Sequence, residues 1–277
     1  MTDKLRIFTG SITMYAITMA VSLTAAWQHV IRPAISGGVG PLELTLQTGV
    51  IFLVVFVVFT TIMVRFAGVA RLFLSFFLIV ALIAGAQFIL SAWMPWPYDI
   101  IVAVAVALLL WALPRVAVHD AAIVLGIGGL AAVLGLSMTP LVACVLLASL
   151  SVYDILSVYR TRHMVVLAGR MLQSGAVFGF LVPARLSDFF MRRDDAIHTR
   201  SVMMLGSGDI GLPLVLATSA VSQSIGAAVM VAGASLIGIS VMHWLFVHQE
   251  RPAPMAALPP IAVSAILGYL LAILLGV

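Results

Sequence analysis

Residues 140–160 read Pro-Leu-Val-Ala-Cys-Val-Leu-Leu-Ala-Ser-Leu-Ser-Val-Tyr-Asp-Ile-Leu-Ser-Val-Tyr-Arg. The run is apolar, carries one carboxylate at Asp154, and stops at Arg160. A helix needs about 20 predominantly apolar residues to cross the hydrocarbon layer of a bilayer. This stretch therefore reads as a membrane span with an acid inside it.

The rest of the chain is of the same kind. Of its 277 residues 63% are hydrophobic and only 9% are charged, and the mean hydropathy is +1.22. A soluble domain carries about 25% charged residues. Too little charge remains here to cover a water-facing surface, which excludes a soluble enzyme, a secreted disulfide scaffold and a disordered tail. A β-barrel would show short alternating segments. The apolar runs are long and unbroken, so the reading is an all-α polytopic membrane protein. Nine spans would use about 180 residues.

The runs fall at Ile7–Trp27, Leu44–Val64, Leu72–Trp93, Ile100–Leu113, Ala121–Leu136, Pro140–Tyr159, Val202–Val221, Ile225–Phe246 and Leu258–Leu275. Residues 1–160 then hold helices one to six, 161–200 form a connecting loop, and 201–277 hold helices seven to nine. With the first residues in the cytoplasm, Lys4, Arg6, Arg65, Arg71, Arg115, Arg160, Arg162, Arg170, Arg185, Arg192, Arg193, Arg200 and Arg251 all lie inside. That is 13 of the 14 basic residues, with only Arg32 outside. A one-sided excess of Lys and Arg in loops is the normal orientation signal. It predicts an odd span count, a cytoplasmic N-terminus and an extracellular residue 277. The basic residues are scattered one or two at a time between apolar runs, so the sequence pI near 9.7 is topology and not a nucleic-acid patch.

The connection from Thr161 to Arg200 is the longest between spans. Its segment Met164–Pro183 contains Arg170, Gln173 and three glycines, and reads as an interfacial helix followed by an extended stretch rather than a tenth span. Gly175–Pro183 is expected to be extended or poorly ordered and close to the functional site, where it could pair with an unwound substrate as a strand. A surface-lying apolar patch is the equal alternative. The polar half, Ser187–Arg200, reads as a mobile cytoplasmic segment.

Two carboxylates stand out within spans, Asp154 in span six and Asp209 in span seven. An ionisable group in the bilayer is expensive and marks function by default. Asp154 lies six residues before Arg160 and Asp209 nine after Arg200. At helical rise these are depths of roughly 9 and 14 Å below one membrane face. The two spans run in opposite directions, so the acids can face each other. Two carboxylates a few Å apart cannot easily both ionise, so one proton is shared. One acid is then a base and its partner an acid, which suits activating water and protonating an amide leaving group. Hydrolysis and proton- or ion-coupled transport are equally open on these grounds. A protease would release two peptides from a membrane-embedded substrate, whereas a carrier would show pH-driven flux without them.

Both acids sit in distinctive strings. Tyr153 precedes Asp154, and Asp209 ends Gly206-Ser207-Gly208-Asp209. Glycines just before an intramembrane acid allow a partner helix to approach closely and permit local unwinding. A third string, Ala256-Ala257-Leu258-Pro259-Pro260, opens span nine on the same face. Its prolines lack N–H donors and disfavour regular helix upstream, and unpaired carbonyls there could position a substrate backbone.

Together the strings resemble the intramembrane aspartyl proteases of the presenilin and signal peptide peptidase family. That family has Tyr-Asp in span six, Gly-x-Gly-Asp in span seven and Pro-Ala-Leu at the start of span nine. Tyr153-Asp154 and Gly206-Ser207-Gly208-Asp209 match; Ala257-Leu258 match the third, with Ala256 in the place of the proline. The resemblance covers roughly residues 7–276. It implies a nine-helix horseshoe, Asp154 and Asp209 as the catalytic pair, and supporting roles for Tyr153, Gly206, Gly208, Ala257, Leu258 and Pro259. It implies membrane-embedded peptide or protein substrates in the lipid bilayer, no cofactor, no metal and no obligatory protein partner. The N-in orientation looks like presenilin, and the compact chain looks like a prokaryotic or archaeal plasma-membrane homologue.

Other candidates are plainer. The lone cysteine, Cys144, reads as packing. His29, His119, His163, His198, His243 and His248 make no credible metal site, and no His-Glu-x-x-His exists. Gly126, Gly128, Gly129, Gly226, Gly233 and Gly238 read as small packing positions between helices. Trp93 and Trp96 read as interface anchors. Reporter fusions after residues 33, 97 and 277 are expected to report extracellular locations; a cytoplasmic signal at 277 would break the odd count.

Overall fold

The computed structural model describes residues 2–32, 50–51, 54–55, 57–58, 67–160, 179–197, 202–248 and 255–277. The second span expected at 44–64 and the interfacial segment expected from 164 lie mostly outside them. Within the second span's range, residues 50–51, 54–55 and 57–58 are helical.

The described chain is built from α1 (Thr2–Ile31), α2 (Ala67–Ser91), α3 (Tyr98–Ala112), α4 (Val116–Leu136) and α5 (Pro140–Ile155). After α5 come a π-helical turn, Leu156–Arg160, and strand β1 (Gly179–Pro183). A 3-10 turn (Leu186–Phe190), a short helix α6 (Arg193–Ile197) and strand β2 (Val202–Gly206) lead into α7 (Ser207–Val221), α8 (Ile225–Val247) and α9 (Leu258–Leu275). Five of these segments are long and apolar enough to cross a membrane by length and composition, and Leu78–Ser91, α3 and α7 are shorter apolar helices. Large apolar side chains face outward along the helices, among them Trp111, Ile237, Val263 and Leu274, as expected where the solvent is lipid. Trp93 and Trp96 are exposed between α2 and α3.

Helix ends follow local chemistry. Pro140 opens α5, and the Thr139 side chain accepts from the Val142 N–H at 3.4 Å. The Ser224 side chain caps α8 by accepting from Ala227 N–H at 2.9 Å. Gly276 closes α9 with φ +68°, a conformation glycine adopts without steric cost. Tyr269 of α9 donates to Gln223 Oε1 at 3.0 Å, tying α9 to the α7–α8 turn.

The core forms around α4 and α7, each packed by several other helices. Residues 213–221 of α7 are buried without interruption. Glycines permit this approach. A methyl at Gly126 or Gly129 would run into Leu82 or the Gly85 backbone of α2, and one at Gly135 would meet Thr218 and the Val215 carbonyl of α7. Thr218 Oγ1 donates to the Ala131 carbonyl across that contact at 3.2 Å. Gly128 and Gly238 are likewise in close contact, with α1 and α9 respectively, whereas a methyl at Gly233 would meet nothing.

Three sequence expectations change. Span seven is not helical from Val202: residues 202–206 are a strand, paired antiparallel with β1 in the register Gly179↔Gly206 to Pro183↔Val202. The helical rise used for the depth of Asp209 therefore does not apply to that stretch. Span five starts at Val116, which brings His119 and Asp120 into the helix. Residues 187–197, expected as a mobile segment, are ordered against the start of α4: Val116 N–H donates to the Met191 carbonyl at 3.1 Å and Arg193 N–H to the Pro114 carbonyl at 2.7 Å. The expectation of an extended Gly175–Pro183 is met at 179–183; residues 175–178 lie outside the described residues.

The glycine contacts give a stability test. Gly129→Val would push α2 from α4 and should destabilise the fold by about 1–3 kcal/mol, while Gly233→Ala should change little. Thermal unfolding in detergent reads the difference.

Candidate active site

Asp209 is the third residue of α7, after the N-cap Gly206. Its carboxylate accepts from the backbone of Gly206, the side-chain half of a capping box. The strand–helix junction thus delivers the acid: β2 ends at Gly206 and α7 begins at Ser207. Among the described residues neither motif glycine serves a close helix contact, the first of the two roles expected of them. A methyl on Gly206 would sit 3.0 Å from Asp209 Oδ2, so glycine there leaves room for the carboxylate. Gly208 is exposed and a methyl on it would meet nothing within 4 Å. Neither has a positive φ. Pro213 lies inside α7 and lacks the N–H that would bond the Asp209 carbonyl, which loosens that first turn.

Asp154 is the last residue but one of α5, just before the helix widens to its π-helical turn. Such turns are frequent at functional sites. Ser157 Oγ donates to the Asp154 carbonyl at 3.0 Å. The Asp154 side chain reaches α9: its Oδ2 accepts from Leu258 N–H at 3.3 Å. Sequence reasoning expected free carbonyls at this end of α9, and the contact instead uses a donor. Leu258 is the first helical residue, Ala257 the N-cap, and Pro259 and Pro260 follow without N–H groups. The Leu258 N–H therefore points out of the helix start towards an anion, as a helix N-terminus favours. Ala256 is buried just ahead of this contact.

Asp209 lies within electrostatic reach of Asp154, and both are half-buried. The structure thus brings together Asp154, Asp209, Gly206, Leu258 and the start of α9. Tyr153 is half-buried beside Asp154 on α5. His243 packs its ring against Phe8, centroids 4.6 Å apart, and joins no metal cluster; no group of three or more potential ligands occurs among the described residues.

The sequence reading missed three residues. Tyr15 of α1 is fully buried and within electrostatic reach of Asp209. His119 and Asp120 are buried at the start of α4, and both bond β1. A capped helix start read from Arg115 rather than Ala121 would have placed Asp120 among the in-span acids.

The arrangement has known counterparts. A family model described as "Signal-peptide peptidase, presenilin aspartyl protease" matches residues 38–277. A solved structure described as a presenilin family intramembrane aspartate protease in C222 space group is 24% identical, with TM-score 0.67, covering 97% of this chain and 99% of that one. A structure described in the same words in P2 space group is 27% identical, with TM-score 0.62, covering 94% and 96%. None of the curated proteins compared matches the chain. With a family match across most of its length and the same helical fold, this chain belongs to the signal peptide peptidase and presenilin family and is an aspartic-type intramembrane endopeptidase.

Proposed function

We propose that Asp154 and Asp209 are the catalytic pair and that the substrate is a transmembrane helix, unwound before cleavage. The carrying observation is the convergence of two carboxylates from α5 and α7 beside the N-termini of two helices, with open space at Gly208. The ionised acid takes a proton from water, whose oxygen bonds the scissile carbonyl carbon. The protonated acid gives its proton to the carbonyl oxygen, which completes the gem-diol and leaves that acid ionised. The acid that took the proton from water then passes it to the amide nitrogen, its partner takes a proton from a gem-diol hydroxyl, the C–N bond breaks, and an amine and a carboxylic acid leave with the pair again sharing one proton. The proton belongs to the pair rather than to either residue. Tyr153, Gly206, Gly208, Ala257, Leu258 and Pro259 support this geometry. Gly206 and Leu258 fix the two carboxylates through backbone donors, and Gly208 leaves the approach clear.

The scissile carbonyl of a helix is held in an i to i+4 bond that must open before attack. A strand edge can take over the released groups. Sequence reasoning gave this role to Gly175–Pro183, but its described part, β1, already pairs with β2. The role passes to β2. An antiparallel ladder alternates bonded and non-bonded pairs. Leu181 N–H points away from β2, towards Asp120, so Leu181↔Met204 is a non-bonded pair. Met204 therefore turns its N–H and C=O to the other side, where β2 has no strand partner among the described residues. Two residues on lies Gly206, next to Asp209. The cytoplasmic N-terminus inferred from the basic-residue split puts this face at the cytoplasmic side.

Asp154→Asn and Asp209→Asn should each cut cleavage of a single-span reporter by about 10²- to 10⁴-fold, since either change ends the acid–base cycle. The pH–rate profile of the unmodified chain should be bell-shaped. Near-normal turnover in either variant would overturn the shared-proton mechanism. Met204→Pro should lower cleavage while sparing the β1 ladder, because it removes an N–H only from the open edge. Unchanged cleavage by Met204→Pro would refute strand addition at β2.

A further inference from the structure

β1 has two edges. One pairs with β2, and the other faces the start of α4. Along that second edge the Gly179 carbonyl meets His119 Nε2 at 2.9 Å and the Leu181 N–H donates to Asp120 Oδ1 at 2.9 Å. A carbonyl can only accept, so Nε2 of His119 carries the proton. Both side chains are buried, His119 at 0% and Asp120 at 2% exposure, and so is every residue of β1. A carbonyl and the N–H two residues on are the groups a neighbouring strand would bond. Two adjacent side chains on a helix thus do what a third strand would do.

We propose that His119 and Asp120 are positioning residues for proteolysis: they stand in for a strand on the outer edge of β1, fix the sheet's register, and so set which substrate bond reaches the aspartates. This rests on substrate addition at the β2 edge. The transmission is rigid and short. Asp120 holds Leu181, Leu181 lies opposite Met204, and Met204 is the residue whose backbone faces the open edge. The same loop is fixed to α4 on its far side by the Val116–Met191 and Arg193–Pro114 backbone bonds. Each fixes the loop beyond β1, so on the strand's outer edge the bonds come from the two side chains. A β-strand that slips by two residues keeps its faces, so loss of a register lock scatters the cut over nearby bonds rather than ending it. The side-chain bonds of His119 and Asp120 go to β1 and not to the dyad. Their loss should leave the chemistry intact and misplace the substrate.

The test compares Asp120→Ala, Asp120→Asn, His119→Phe and His119→Gln with the unmodified full-length chain in detergent, on a single-span substrate. Cleavage products are mapped by mass spectrometry, kcat and KM are separated, and affinity is measured for a short hydroxyl-containing isostere that engages the dyad. Losing one buried hydrogen bond should raise KM about 5- to 20-fold in Asp120→Ala and spread the cleavage sites, with kcat and isostere affinity within about twofold. Asp120→Asn keeps the acceptor and His119→Gln keeps a donor, so both should restore the single cleavage position. His119→Phe keeps the ring volume without the donor and should show the scattered pattern even where Asp120→Ala does not accumulate. An unchanged cleavage map and KM in His119→Phe and Asp120→Ala would overturn the proposal. Equal loss of isostere binding, or failure of Asn to restore the position, would show that Asp120 only holds the fold and would overturn it too. If Met204→Pro also leaves cleavage unchanged, strand addition itself fails; if Met204→Pro impairs cleavage while the His119 and Asp120 variants do not, only the positioning role fails.

Discussion

A backbone N–H or C=O left unbonded in an apolar interior costs several kcal/mol, so strands rarely occur among membrane helices. This chain keeps a two-stranded ladder there, and the cost is met on one side by side chains. His119 and Asp120 bond the outer edge of β1, and the pairing of β1 with β2 satisfies the inner one. The placement of Asp209 depends on that arrangement. β2 ends in Gly206, the N-cap of α7, and Asp209 reaches back to it. The acid is placed by a strand–helix junction, which fixes a carboxylate more closely than mid-helix placement would, because the cap bond and the ladder meet at Gly206.

Two helix starts converge on the pair. α7 presents its first turn to Asp209, and α9 offers the Leu258 N–H to Asp154. Orphan N–H groups at a helix start need acceptors, and an intramembrane carboxylate needs donors. Each need answers the other. Pro259 and Pro260 sharpen this at α9, since they present no N–H and leave the donor at Leu258. A proline at 256 is not needed for that contact in this chain, where Ala256 is buried and the helix still begins at Leu258.

The membrane class, the helical runs and the two acids were legible because apolar length and an intramembrane charge are signals a sequence cannot hide. α9 was read to the residue, since a Pro-Pro pair and a terminal glycine mark its ends. The strand β2 was not legible. Val202-Met203-Met204-Leu205 is as apolar as the helix it precedes, and a short apolar run does not declare its period. The pairing that makes it a strand comes from Gly179–Pro183, on the other side of the polar half of the loop. Asp120 was hidden by one residue: a span begun at Ala121 excludes it, and a helix begun at Val116 includes it. The spacing of Gly206 and Gly208 invites a helix–helix contact, and their surroundings among the described residues provide none.

Unwinding a helix in lipid would strand its carbonyls and amides in a medium without partners. On the proposed pairing, each turn opened in the substrate is matched by bonds to the β2 edge, so the exchange of hydrogen bonds offsets most of the loss. Only an edge that is itself held in place can do this, since a mobile edge would be ordered at the same moment and would add its own entropy cost. Closing the outer edge of β1 with side chains serves that end twice. It removes a competing site for strand addition, and it stiffens the strand that β2 leans on. A ladder open on both edges could accept substrate on the outer side of β1, away from the Asp154–Asp209 pair. The His119–Asp120 pair therefore closes one side of the sheet, and on the proposed pairing the edge left open among the described residues is that of β2, which ends at Gly206 beside Asp209.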